Sequence, residues 1–139
     1  MDAKLEYLSQ LIIEFYDKIS SWEQEVVKES GLSPTQMHAI EVIGQAGKLR
    51  MKELAEQMGL TTGTITVMVD GLTRQGVVER EKDEEDRRSV LVHLTARGHE
   101  LFEEHHRLHI KLTQDLTSQL SARESSYLAA ILTKMNLQI

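Results

Sequence analysis

The 139 residues predict a mainly α-helical fold with one small β-hairpin. Three features carry the prediction. Apolar residues recur at helical spacing through both ends of the chain. Capping residues and glycines punctuate that pattern at short intervals. Residues 76–98 break it most clearly, with two strand-like runs around a highly charged loop.

The first helix is expected over residues 4–29. Leu5, Leu8, Ile12, Phe15, Ile19, Trp22 and Val26 follow at alternating spacings of 3 and 4, a heptad-like seam. Leu11, Tyr16 and Val27 widen it, and Gly31 ends the helix. Ser33-Pro34-Thr35-Gln36 then opens a second one, with Ser33 as N-cap, proline in the first turn and Gln36 closing a capping box. It runs to about Ala46, where Gly47 stops it. Lys48-Leu49-Arg50 is short enough to be a third strand beside the hairpin.

Met51 to Met58 forms the next helix, with Leu54, Ala55 and Met58 on one face. Gly59 follows, able to take the positive φ of a tight turn. Thr61 or Thr62 caps another helix, whose Ile65, Met68, Val69 and Leu72 fall at i, i+3, i+4 and i+7. Gly76 closes it. Helix, glycine turn and helix make a helix-turn-helix pattern. Val77, Val78, Arg80 and Lys82 lead into the hairpin, and Val90, Val92 and Leu94 lead out in strict alternation. The loop between them, residues 83–88, is too polar to be packed. Thr95 caps a long helix to about Gln119, with Leu101, His105, Leu108 and Leu112 on one face. Ser121-Ala122-Arg123-Glu124 opens the last, with Leu128, Ile131, Leu132 and Met135.

Composition narrows the functions. Cysteine is absent, which excludes disulfides, thiolate metal sites and thiol-based peroxide sensing. Acidic residues interrupt every apolar run, and the first residues are no signal peptide, so a cytoplasmic protein without membrane contact is expected. No His-Glu-x-x-His motif and no glycine-rich phosphate loop occurs, so an enzyme is not expected. The net charge is −6, yet residues 48–97 hold nine basic and nine acidic side chains. Their neutrality leaves local cation placement to decide whether a nucleic acid can bind.

The outer face of the helix after Gly59 carries Thr61, Thr62, Gly63, Thr64, Thr66, Val67, Asp70 and Arg74. Threonine hydroxyls and N-terminal amides suit phosphate oxygens, and threonine methyls and Val67 suit the thymine methyl in the major groove. Gly63 permits close approach. The alternative is a solvated polar face. The hairpin that follows, with Arg87 and Arg88 at its tip, favours double-stranded DNA as the partner.

The hairpin and the order of helices around it resemble the MarR family of winged-helix transcription regulators, whose wing carries an Asp-x-Arg element. Here that element is Asp86-Arg87-Arg88. The resemblance spans the whole chain, read as one domain over residues 1–139. It implies a winged helix-turn-helix lobe at 33–94 between dimerisation helices at 1–30 and 95–139. With only 4% aromatics a monomer would struggle to bury both apolar seams, so a homodimer is expected. The resemblance also implies a repressor whose DNA affinity a ligand modulates. Arg88 would enter the minor groove, Asp86 would hold it through a carboxylate–guanidinium pair, and Arg87 would meet phosphate. One departure stands out: Val67 and Gly71 occupy the mid-helix region where the family often has arginine or lysine.

The effector has several candidates. His38 and Glu41 lie one turn apart on the second helix, and Glu104, His105, His106 and His109 on the fifth, with His105 and His109 at i and i+4. Imidazoles at that spacing can bind zinc with a third histidine and a carboxylate. The set His38, His105, His109 and Glu104 resembles zinc-uptake regulators of the family, in which the first helix adds a carboxylate, a role open to Asp17 or Glu23. Met37-His38-Ala39-Ile40-Glu41 also resembles the fatty-acid-synthesis repressors, which implies an acyl-type pocket lined by Trp22, Met37, His38, Glu41, His105 and His109. An unidentified organic ligand, or no ligand role for these histidines, remains open beside both. So does a winged helix serving protein interaction without DNA.

Overall fold

A computed structural model of the chain describes residues 2–139. Among these, the elements run α1 (Ala3–Lys28), α2 (Pro34–Ala46), β1 (Lys48–Arg50), α3 (Met51–Met58), α4 (Thr62–Arg74), β2 (Val78–Lys82), β3 (Val90–Leu94), α5 (Ala96–Thr117) and α6 (Ala122–Asn136). The chain divides into two compact units, Met1–Phe102 and Glu103–Ile139.

The first unit has one apolar core. Ile40 and Ile43 of α2, Leu54 of α3, Ile65, Val69 and Leu72 of α4 and Val92 of β3 are fully buried in it. The three strands form an antiparallel sheet in the order β1-β3-β2. Val92 sits at the middle of β3, opposite Leu49 on one side and Arg80 on the other. The short β1 therefore ties the start of α3 to the hairpin. At that start the Arg50 N–H donates to Glu53 Oε1 at 2.9 Å.

Local chemistry sets the helix ends. Ser33 and Gln36 form the reciprocal capping box that opens α2. Thr61, not Thr62, caps α4: its hydroxyl oxygen accepts the Thr64 N–H at 3.2 Å. Gly59 has φ 65°, so it makes the left-handed turn between α3 and α4 without a Cβ penalty. Thr95 locks the entry to α5. Its hydroxyl accepts the Gly98 N–H at 3.1 Å and donates to the Gly76 carbonyl at 2.6 Å.

The hairpin loop departs from expectation at Asp83, which is buried at 7% exposure rather than free in solvent. The reason is a cation supplied from far along the chain, the Arg50 guanidinium, whose Nε–H donates to Asp83 Oδ2 at 2.9 Å. The rest of the loop, from Glu84 to Arg88, is exposed.

Both chain ends leave apolar surface open. On α1 only Val27 is buried, while Leu5 is 63% and Phe15 54% exposed. In the second unit α6 opens on a Ser121–Glu124 capping box and buries nothing, leaving Leu128, Ile131, Leu132 and Met135 in solvent. No helix of the described residues is long and apolar enough to cross a membrane.

Candidate nucleic-acid interface

The exposed face of α4 and the tip of the hairpin are the two surfaces with the chemistry to meet DNA. On α4, Thr61, Thr62, Gly63, Thr64, Thr66, Val67 and Arg74 are all exposed. Val67 is 70% exposed, an apolar side chain on an otherwise polar face. Gly63 has no atom within 4 Å of where a Cβ would stand, so a backbone or a base can approach it.

The threonines are not equivalent, although their sequence pattern treats them alike. Thr61 donates its hydroxyl proton to Thr64 Oγ1 at 2.8 Å, and Thr66 donates to the Thr62 carbonyl at 2.9 Å. Phosphate oxygens need donors. Thr62 and Thr64 keep their hydroxyl protons for that role, while Thr66 offers a methyl group and lone pairs. Asp70, read from the sequence as part of the outer face, is half-buried and pairs with Arg80 of β2. That pair neutralises a carboxylate that would otherwise repel the DNA backbone.

Ion pairing also sorts the cations. Lys48 pairs with Glu81 at 2.6 Å, Arg50 with Asp83 at 2.9 Å, and Arg80 with Asp70. Of the nine cations between residues 48 and 97, Lys52, Arg74, Lys82, Arg87, Arg88 and Arg97 have no such carboxylate partner among the described residues. Four of these six lie at the end of α4 and along the hairpin, so most of the free positive charge of the neutral middle stands there. The wing turn is held from within. Asp86 Oδ1 accepts the Arg88 N–H at 3.1 Å and Oδ2 accepts the Ser89 hydroxyl at 3.0 Å. The carboxylate–guanidinium pair expected between Asp86 and Arg88 is therefore replaced by backbone capping. Both carboxylate oxygens are taken by the turn, and the Arg88 guanidinium stays available.

The effector residues are distributed differently from the sequence expectation. Met37 is a core residue at 2% exposure, on the same face of α2 as Ile40. Trp22 is half-buried on α1, and His38 is exposed. Within the first unit, Glu23 of α1 and Glu41 of α2 bring carboxylate oxygens within 4.8 Å of each other. In the second unit, His105 is buried and its Nε2 lies 3.0 Å from Nε2 of the half-buried His109. Their rings meet edge to face at 4.6 Å between centroids. Glu104 is turned to solvent and pairs with Arg107. Among the described residues, neither His38 nor Glu104 belongs to any group of three or more potential metal ligands.

A helix-turn-helix followed by an antiparallel hairpin with free arginines defines a winged-helix DNA-binding regulator. The sequence model of the MarR family matches residues 32–90, from the start of α2 through the wing. The chain is 32% identical over 107 residues to the HTH-type transcriptional regulator YkoM of Bacillus subtilis, covering 77% of this chain and 70% of that protein. Two other regulators of that organism are matched over 58% and 54% of their own length. The crystal structure of Streptococcus pneumoniae FabT in complex with DNA superposes with a TM-score of 0.88 at 25% identity, covering 96% of this chain and 95% of that one. A mutant of MarR from E. coli complexed with operator DNA gives 0.74 at 29% identity, covering 97% and 99%. The chain belongs to the MarR family of transcriptional regulators.

Proposed function

We propose that the protein is a sequence-specific repressor that binds a pseudo-palindromic DNA operator as a homodimer, in the cytoplasm, with an effector tuning its affinity. The observation that carries this reading is the placement of free cations. Arg87 and Arg88 stand exposed at the wing tip, while three cations nearer the sheet are already paired. The FabT and MarR structures, in complex with DNA and operator DNA, support the same partner here. In the proposed docking, Thr62, Thr64 and the amides at the start of α4 meet phosphate. Val67 and the Thr66 methyl face base edges. Arg88 enters the adjacent minor groove. Two such heads in a symmetric dimer fit half-sites about one helical turn, or about 10 bp, apart.

The test is an operator selected from random-sequence DNA and titrated over a range of salt. Arg88→Ala is expected to weaken binding by roughly 1–3 kcal/mol and to lower the salt slope by about one. An Arg88→Ala protein that binds like the unaltered one at every salt concentration removes the wing from the interface. A protein-interaction module without DNA binding would select no sequence and show no steep slope.

Zinc-responsive control is a second reading, favoured by the His105–His109 pair. Two imidazole nitrogens one helical turn apart and 3.0 Å from each other suit neighbouring ligands of a tetrahedral ion. Carboxylates would complete the donor set. Zinc is expected to bind chelator-treated protein at sub-micromolar concentration and to lose that affinity in His105→Ala plus His109→Ala. Ligation needs neutral imidazoles, so binding should weaken on acidification. Equal, weak binding by both proteins in calorimetry eliminates the metal and leaves an organic or acyl-type effector.

A further inference from the structure

We infer that Arg50 is a positioning residue for DNA recognition: by holding the buried carboxylate of Asp83 it fixes the wing to the helix-turn-helix, so that both meet DNA as one rigid head. The inference deepens the repressor reading and rests on it.

Arg50 stands at a junction. It ends β1 and is the N-cap residue of α3, the first helix of the helix-turn-helix. Its backbone N–H is held by Glu53, so the residue is anchored before its side chain reaches out. The side chain crosses 33 positions of sequence to Asp83, the first residue after β2. There the guanidinium Nε–H donates to Oδ2. The other carboxylate oxygen, Oδ1, accepts the Glu85 N–H at 3.0 Å. The Asp83 N–H closes the base of the loop on the Ser89 carbonyl at 3.2 Å. From Ser89 the order passes on: its N–H donates to the Asp86 carbonyl at 2.9 Å, and the Asp86 carboxylate caps the Arg88 N–H. One chain of hydrogen bonds therefore runs from the start of α3 to the backbone of the wing arginine.

Magnitudes separate this pair from the other two. Lys48–Glu81 has side chains 56% and 38% exposed, and Arg80–Asp70 has 32% and 44%. Pairs so open to water contribute little. Here Arg50 is itself 42% exposed, but the Asp83 side chain it meets is only 9% exposed. A carboxylate that dry is costly unless compensated by donors, and truncating its partner leaves the charge stranded. The Glu85 amide, and then the Arg50 guanidinium, hold the Asp83 carboxyl below the usual carboxylate range against the opposing pull of burial. A depressed carboxylate pKa stabilises the folded state above the ordinary value and ceases to do so only as pH falls through the depressed one. The latch is thus complete at neutral pH. Lysine is no equivalent of Arg50, because the in-plane Nε–H is the donor.

The experiment uses full-length protein, a duplex selected by the unaltered protein from random-sequence DNA, and the variants Arg50→Met, Arg88→Ala and their combination. Arg50→Met is expected to lower affinity roughly tenfold, the scale of one lost charge-assisted hydrogen bond. In its background Arg88→Ala should cost less than about half its cost in the unaltered protein, since the arginine is no longer held in place. Trypsin cleavage after Arg87 or Arg88 should accelerate several-fold at a temperature where circular dichroism shows the helices intact. Asp83→Asn, which retains an oxygen for the Glu85 amide, should reproduce the faster cleavage and so covers poor folding of Arg50→Met. Fully additive losses overturn the inference. So does an Arg50→Met protein whose salt slope drops by about one while the wing stays protease-resistant, because Arg50 would then be a direct phosphate contact. Failure of the unaltered protein to select any DNA would instead sink the repressor reading, and the trypsin comparison would still show whether Arg50 holds the wing.

Discussion

Gly98→Ala should destabilise the first unit by about 3 kcal/mol, the upper end of the range for overpacking. The sign is the informative part, because replacing glycine by alanine inside a helix ordinarily gains up to about 1 kcal/mol. Gly98 lies in the first turn of α5, and a Cβ there would stand 2.1 Å from the Val77 carbonyl oxygen and 3.1 Å from Leu94 Cβ. Backbone cannot yield as a flexible side chain does. That same carbonyl accepts the Thr95 N–H at 3.1 Å, and the Thr95 hydroxyl holds both the Gly98 N–H and the Gly76 carbonyl. Pushing α5 away would break this lock between the end of α4, the start of β2 and the start of α5. Urea denaturation should show a lower midpoint with an unchanged slope. Gly63→Ala, which meets open space, is the control and should be neutral or stabilising. A Gly98→Ala protein at least as stable as the unaltered one would show that α5 does not seat against Val77.

The second large effect concerns assembly. Leu8→Glu together with Ile12→Glu should convert the homodimer to monomer or to aggregates and lower operator affinity at least about 100-fold, the scale of lost bivalency. Leu8 is 51% and Ile12 44% exposed in the single chain, within a run that also leaves Leu5, Leu11 and Phe15 open. Contiguous apolar surface of this kind marks an interaction face. Light scattering of the unaltered protein should give twice the chain mass of 15.8 kDa. A monomeric unaltered protein, or a doubly substituted one that still dimerises, contradicts the arrangement.

The parts of the fold legible in the sequence were those with local causes. Ser33–Gln36 and Ser121–Glu124 fixed two helix starts, and Gly59 fixed the turn between α3 and α4. The alternation of Val90, Val92 and Leu94 gave β3, but the burial of Val92 and Leu94 beside an exposed Val90 needed β1 and β2 on either side. Of the candidate interface, the wing arginines and the α4 face were visible as composition. What the threonine protons do was not, since it depends on rotamers within the helix. The Arg50–Asp83 and Asp70–Arg80 pairs were hidden because their members meet only in three dimensions. The engagement of Glu104 did have a signal: Arg107 lies three residues on, the spacing at which helical charges pair. Met37 entered the candidate pocket through the family resemblance around His38, and its place in the core became visible only with the fold.

The exposed valine at position 67 carries a consequence for how chemical marks on the genome would be seen. In the proposed docking Val67 touches a methyl group and makes no hydrogen bond, so it recognises a surface feature and not the identity of a base. Thymine displays that methyl at C5 in the major groove. A cytosine methylated at C5 displays the same group at the same place. At a base step read by Val67 alone, the protein would be blind to the difference between thymine and 5-methylcytosine, while unmodified cytosine would leave the valine against bare ring edge. A site with cytosine there would then be weak when newly replicated and regain affinity once modified, which would make occupancy depend on the methylation state of the DNA and not on its sequence alone.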